Sequence, residues 1–154
     1  LSDDTVLKVG ETIVIPDGVM ETPKQTKSPT RYASGPSYDG YYMRPISYEE
    51  GRRSQGIHGW NGIDIGAAVG TPVVAAASGE VIIARGSGWN GGYGLYVVIK
   101  HGNGTQTLYG HMSNVSVVSG MNVAKGQVVG QVGSTGRSTG PHLHFEVRGA
   151  KNPF

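Results

Sequence analysis

The sequence predicts an all-β domain built mainly of antiparallel sheets. Three observations carry that expectation. Glycine numbers 26 and proline 8 in 154 residues, enough for many tight turns yet below the level of a low-complexity chain. Short runs of Val, Ile and Ala alternate with those glycines, the pattern of strands divided by turns. No stretch keeps a 3.6-residue hydrophobic period with capping signals, so no helix is expected.

The strands follow in order. Residues 72–77 and 80–85 are short β runs divided by Ser78-Gly79. Leu95–His101 alternates, turns at Gly-Asn-Gly, and continues into 105–111, a hairpin signal. Residues 121–132 read as a further β run with Gly126 inside it, followed by a glycine-rich loop over 133–140. The last strand covers 142–147. Upstream, residues 18–44 are rich in Pro, Ser, Thr, Lys, Gly and Tyr, lack any hydrophobic period, and read as a linker. Its late tyrosines, Tyr38, Tyr41 and Tyr42, are expected to pack onto the following domain, which is expected to occupy 45–154.

Composition narrows the functions. The absence of cysteine excludes disulfides, thiolate metal sites and a cysteine nucleophile. A net charge of +2 suits an anionic setting such as a cell wall, and no Lys/Arg stripe with interleaved aromatics suggests nucleic acid. No apolar run approaches the ~18 residues of a membrane span. The chain opens at Leu1 without an initiator Met or signal segment, so it reads as a piece of a longer protein from which any targeting segment is lost.

The histidines carry the chemistry. His142 and His144 flank Leu143 in a strand, and side chains two apart share a face, so both imidazoles project together. Asp64 lies in HGWNGIDIG with His58 six residues earlier, and His111 ends the strand containing Tyr109. A catalytic zinc takes three protein ligands and keeps one position open, and His, Asp and His would complete it. His101, just before Gly-Asn-Gly, reads as a hairpin residue. Glu146 shares the strand face of His142 and His144, as a support for the site or as a surface charge. Trp89, Asn90 and Tyr93 form a groove wall or a packing anchor. Ser138-Thr139 reads equally as a turn or as donors to substrate.

With these residues in place, the chain resembles the lysostaphin/LytM-type zinc metallopeptidases. The matching stretches are GIDIGAAVGTPVVAAASGEV, GGYGLYVVIKHGNGTQTLYGHM, VAKGQVVGQVGSTGRSTG and PHLHFEVR, over about 90 residues. The resemblance implies a sandwich with a groove, of the duplicated-hybrid-motif kind, and hydrolysis of peptidoglycan peptide bonds outside the cytoplasm. It implies one zinc ion per chain held by Asp64 and His144, with His111 and His142 catalytic. One departure stands out. The family's first ligand lies four residues before the Asp, where this chain has Trp60. His58 is expected to reach the metal through a turn two residues longer, a change of little entropic cost. Separately, 6–16 resembles the end of a LysM module, so residues 1–17 read as a LysM remnant.

Two other readings remain. One is a catalytically degenerate domain of the same fold that binds peptidoglycan or activates an amidase partner. Such relatives usually lose several site histidines, whereas this chain keeps four. The other is a biotinyl-type carrier, suggested by GMNVAKGQ (120–127), which lacks a Met-Lys hairpin and leaves His-x-His unexplained.

Overall fold

The structure is a computed structural model and describes residues 35–154. The LysM-like stretch at 1–17 and the linker up to residue 34 lie outside the described residues. Nine strands follow in chain order: β1 Gly51–His58, β2 Gly62–Ala67, β3 Pro72–Val74, β4 Gly79–Arg85, β5 Leu95–His101, β6 Gln106–Val115, β7 Asn122–Val123, β8 Val128–Val132 and β9 His142–Arg148. Among the described residues the only helical element is a 3₁₀ turn at Asn90–Gly92. No helix among them is long and apolar enough to cross a membrane.

Every strand pair is antiparallel, in one connected sheet ordered β1-β2-β9-β6-β5-β4-β7, with β8 joining β3 to β6. The branch lies on β6. Its first half pairs with β9 up to Gly110↔His144, and its second half pairs with β8 from Met112↔Val132. His111 sits between the halves with φ of 62°, a left-handed conformation rare for a side chain larger than glycine. A register shift against β5 falls at the same place, so β6 carries a bulge there.

Period-2 alternation decides which face is core. In β2, Ile63 and Ile65 are fully buried while Asp64 points the other way. In β9, Leu143, Phe145 and Val147 enter the core, and His142, His144 and Glu146 take the opposite face. Val97, Ile99 and Tyr109 pack into the same cluster, and each fully buried large side chain contributes about 2 kcal/mol.

Sequence reading named no strand over 51–67, yet β1 and β2 form a hairpin there. Most of β1 is exposed, so burial leaves little periodic mark on it. The single run expected over 121–132 is two strands with different partners, divided by a turn with Gly126 at φ of 86°. Residues 36–43 are tied to the domain. Tyr42 is buried, its hydroxyl hydrogen-bonds Thr105, Met43 N donates to Ala76 O at 2.7 Å, and Lys151 N donates to Pro36 O at 2.9 Å. Tyr38 and Tyr41 pack partly against the core.

Candidate metal centre

Strand register assembles the site. β2 and β9 pair Asp64 directly with His144, and β9 and β6 pair His144 with Gly110, next to His111. His142 follows two residues before His144 on the same face. His58 ends β1 opposite Gly62. The turn between them is held in left-handed conformations at Gly59 and Asn61. The Asn61 amide pins it by donating to Val147 O at 2.8 Å and to Ala150 O at 2.5 Å. Gly62 has to be glycine, because a Cβ there would lie 2.8 Å from His144 Cε1.

One donor atom each from His58, Asp64 and His144 fall within 4.8 Å of one another. His144 Nδ1 is 2.9 Å and His58 Nε2 3.3 Å from Asp64 Oδ1, and His142 Nε2 is 3.7 Å from Asp64 Oδ2. The His111 and His142 rings stand 4.8 Å apart, centre to centre. Trp60, at the position of the family's usual first ligand, is 54% exposed and does not line the groove.

Each of the four imidazoles has its other nitrogen fixed by an acceptor. His58 Nδ1 meets Gly56 O at 2.6 Å, His111 Nδ1 meets Thr135 O at 2.7 Å, and His142 Nδ1 meets Gly140 O at 2.8 Å. A carbonyl only accepts, so those nitrogens carry the proton and each Nε2 keeps a lone pair. His144 is reversed: its Nε2 meets Glu146 Oε2 at 2.9 Å, leaving Nδ1 toward Asp64. Glu146 is 1% exposed and fully engaged, accepting from Tyr93 Oη at 2.7 Å and from Arg148 Nε at 2.8 Å.

The charges fit a cation at the point where the donors meet. Burial opposes ionisation of Asp64, but the hydrogen bond to His144 and the neighbouring imidazoles outweigh it and hold the carboxyl below its usual range. Burial likewise opposes a charge on His144, yet Asp64 and Glu146 push it up to about 9. A pocket that favours a proton on His144 Nδ1 favours any cation placed there, and the N, O, N donor set is one zinc accepts. His111 moves the opposite way, lowered by burial and by the adjacent His142 and His144.

The cluster opens into a groove of about 530 Å³, walled by Gln55, Gly91–Tyr93 and Arg137–Thr139. His101 lies elsewhere, buried between Ser78 O and Thr107 Oγ1, each at 2.8 Å. Glu146, read from the sequence either as a support for the site or as a surface charge, is buried and is the carboxylate partner of His144. Its signal was its position two residues past His-x-His. The anchoring carbonyls of Gly56, Thr135 and Gly140 belong to the backbone and leave no mark in side-chain chemistry.

An all-β domain that gathers these donors on one open face is of the metallopeptidase class. The chain belongs to Peptidase family M23, whose sequence profile matches residues 58–154. It is 49% identical over 112 residues to the DD-carboxypeptidase/endopeptidase Mpg of Neisseria meningitidis serogroup B, covering 71% of this chain and 23% of that protein. It is 43% identical over 104 residues to the murein hydrolase activator EnvC of Escherichia coli, covering 68% of this chain and 24% of EnvC. The chain thus spans about a quarter of the length of these curated relatives. Among solved structures, a zinc-containing peptidase from Vibrio cholerae superposes with a TM-score of 0.63 at 32% identity, covering 70% of this chain and 36% of that one.

Proposed function

We propose that this chain is a zinc-dependent endopeptidase that hydrolyses peptide bonds of bacterial peptidoglycan, in the stem peptide or the cross-bridge. The observation that carries the reading is the set of four imidazoles, each locked by an acceptor on one nitrogen and turned with the other toward Asp64 and the groove. His58, Asp64 and His144 are the ligands in this reading. A zinc ion held there supplies a Lewis acid for the scissile carbonyl and a water whose pKa falls toward ~7. His111 and His142 are the proton-moving groups, each with its proton on Nδ1 and a lone pair on Nε2. The lowered pKa of His111 keeps its ring neutral and able to take a proton near neutral pH. The open groove suits an extended peptide. The names of Mpg and of the Vibrio zinc peptidase agree with this chemistry, and with peptidoglycan as its substrate the domain would work outside the cytoplasm.

A second reading has its own support. EnvC, named as a murein hydrolase activator, is similar over two thirds of the chain, so the domain would bind and activate an amidase instead of cutting. Digestion of purified peptidoglycan by the zinc-loaded chain, with fragments sized by mass spectrometry, separates the two. The peptidase reading expects peptide-cleaved fragments that disappear in His111→Ala. A chain that holds one zinc, releases no fragments and stimulates an added amidase would replace the peptidase with the activator.

A further inference from the structure

The groove contains one Lys or Arg, Arg137, and the proposed chemistry gives it no role. Its side chain is exposed and makes no hydrogen bond or ion pair with any described residue. The other arginine near the site, Arg148, is already spent on Glu146 at 2.7 Å. A guanidinium with no counter-ion beside a peptide-sized groove is a ready partner for a carboxylate, which it grips through two parallel N–H donors.

The backbone that carries Arg137 is held still. Arg137 N donates to Gly92 O at 2.7 Å. Thr135 Oγ1 donates to Met112 O at 2.7 Å and accepts from Leu95 N at 3.1 Å. The 92–94 and 135–137 backbones touch so closely that a Cβ on Gly136 would lie 2.4 Å from Gly92 O and from Gly94 N. The same loop supplies the Thr135 and Gly140 carbonyls that fix His111 and His142. The Arg137 backbone is therefore built into the segment that orients the catalytic pair.

We infer that Arg137 binds a carboxylate of the substrate, so that the preferred substrates are peptides carrying a free carboxylate beside the scissile bond. This rests on the peptidase reading and names its substrate class. Such a carboxylate comes either from the C-terminus of a stem peptide or from the side chain of a diacid residue within it. Substrates in which a neutral cross-bridge runs past the loop lack the partner and bind less well.

The test uses three synthetic cross-linked peptides with the full zinc-loaded chain: one with both carboxylates free, one amidated at the C-terminus, one amidated at the side chain. The expected result is that one amidation raises KM by roughly 10- to 100-fold, the scale of a lost charged hydrogen bond, and identifies the carboxylate source. Arg137→Gln should raise KM for the free acid to the amide's value with kcat, zinc content and melting temperature little changed, and Arg137→Lys should recover part of the preference. A preference that survives in Arg137→Gln, or a parent that cuts all three alike, overturns the inference. If the parent binds zinc but cuts none, the peptidase reading fails, and equilibrium binding of the same peptides decides about Arg137: preference lost in Arg137→Gln upholds it, and equal affinities overturn it.

Discussion

His144 hands its Nε2 to the buried carboxylate of Glu146 at 2.9 Å, whereas the other three groove histidines hand their Nδ1 to backbone carbonyls. A carboxylate partner fixes the ring's tautomer and raises the basicity of the opposite nitrogen. Glu146→Ala should therefore weaken zinc binding by about 10- to 100-fold. Glu146→Gln should weaken it less, because an amide oxygen still accepts from Nε2–H. Competition against a calibrated chelator reads both, and equal affinity in the parent and Glu146→Ala would remove Glu146 from the site's support.

Metal binding and proton transfer should separate by variant. His144→Ala should lose zinc and hydrolysis together, since three protein ligands are the minimum for a catalytic zinc. His111→Ala and His142→Ala should keep about one zinc per chain while hydrolysis falls ~10²-fold or more. Zinc analysis beside a peptidoglycan turbidity assay decides it. Loss of zinc from His142→Ala would mean that ligand and catalyst are exchanged within His-x-His.

Gly62→Ala is the smallest change expected to spoil the site. Its methyl would meet His144 Cε1 at 2.8 Å and Glu146 Cγ at 3.1 Å, both held on β9. The ring has to move, so zinc affinity should drop while stability falls by only about 1–3 kcal/mol. Chelator titration and thermal melting measure the two effects separately.

The metal-free chain should lose stability as the solution turns alkaline. His144 has a folded pKa pushed up to about 9 by Asp64 and Glu146 against the opposing effect of burial. Its contribution is therefore complete below its unfolded value of about 6.5 and vanishes as pH rises through 9. The loss should be at most about 3 kcal/mol, and saturating zinc should abolish it by displacing that proton. Melting curves from pH 6 to 10, with chelator and with zinc, test this. Parallel curves would show that His144 does not carry the charge.

Cutting the chain at residue 45 should cost far more than cutting at residue 35. The shorter form lacks buried Tyr42, its bond to Thr105, and the packing of Tyr38 and Tyr41. A loss of about 3–5 kcal/mol is expected, whereas a chain beginning at residue 35 should melt within a few degrees of the full chain. Scanning calorimetry on the two truncations compares them.

Much of the site was legible because strand alternation is a strong rule. His142 and His144 had to share a face, and Leu143 between them had to enter the core. Asp64 was legible from its place in HGWNGIDIG, six residues after His58, although no strand was read there; the structure shows the same alternation, with Ile63 and Ile65 buried on either side. His58 was harder: spacing alone placed it two residues early, and only the left-handed turn pinned by Asn61 shows how it arrives 3.3 Å from Asp64. Three things left no readable trace. β1 is held mainly by backbone pairing and exposes most of its side chains. The positive φ of His111 arises from β6 changing partners, which depends on strands far away in sequence. The β7–β8 break depends on which strands lie beside each half, and one glycine in an apolar run does not announce that.

β9, the last of the nine strands in sequence, lies in the interior of the sheet between β2 and β6. Until it inserts, the β1–β2 hairpin and the β4–β5–β6 meander have no ladder joining them. Insertion then closes contacts across the whole domain, Asp64 to His144 among them, a topology of high contact order that folds slowly. Because the same strand brings two of the four histidines, joining the sheet and arming the chemistry are one event. A half-threaded chain without β9 thus lacks both the joined sheet and the donor of His144, so the candidate metal centre cannot exist ahead of the fold.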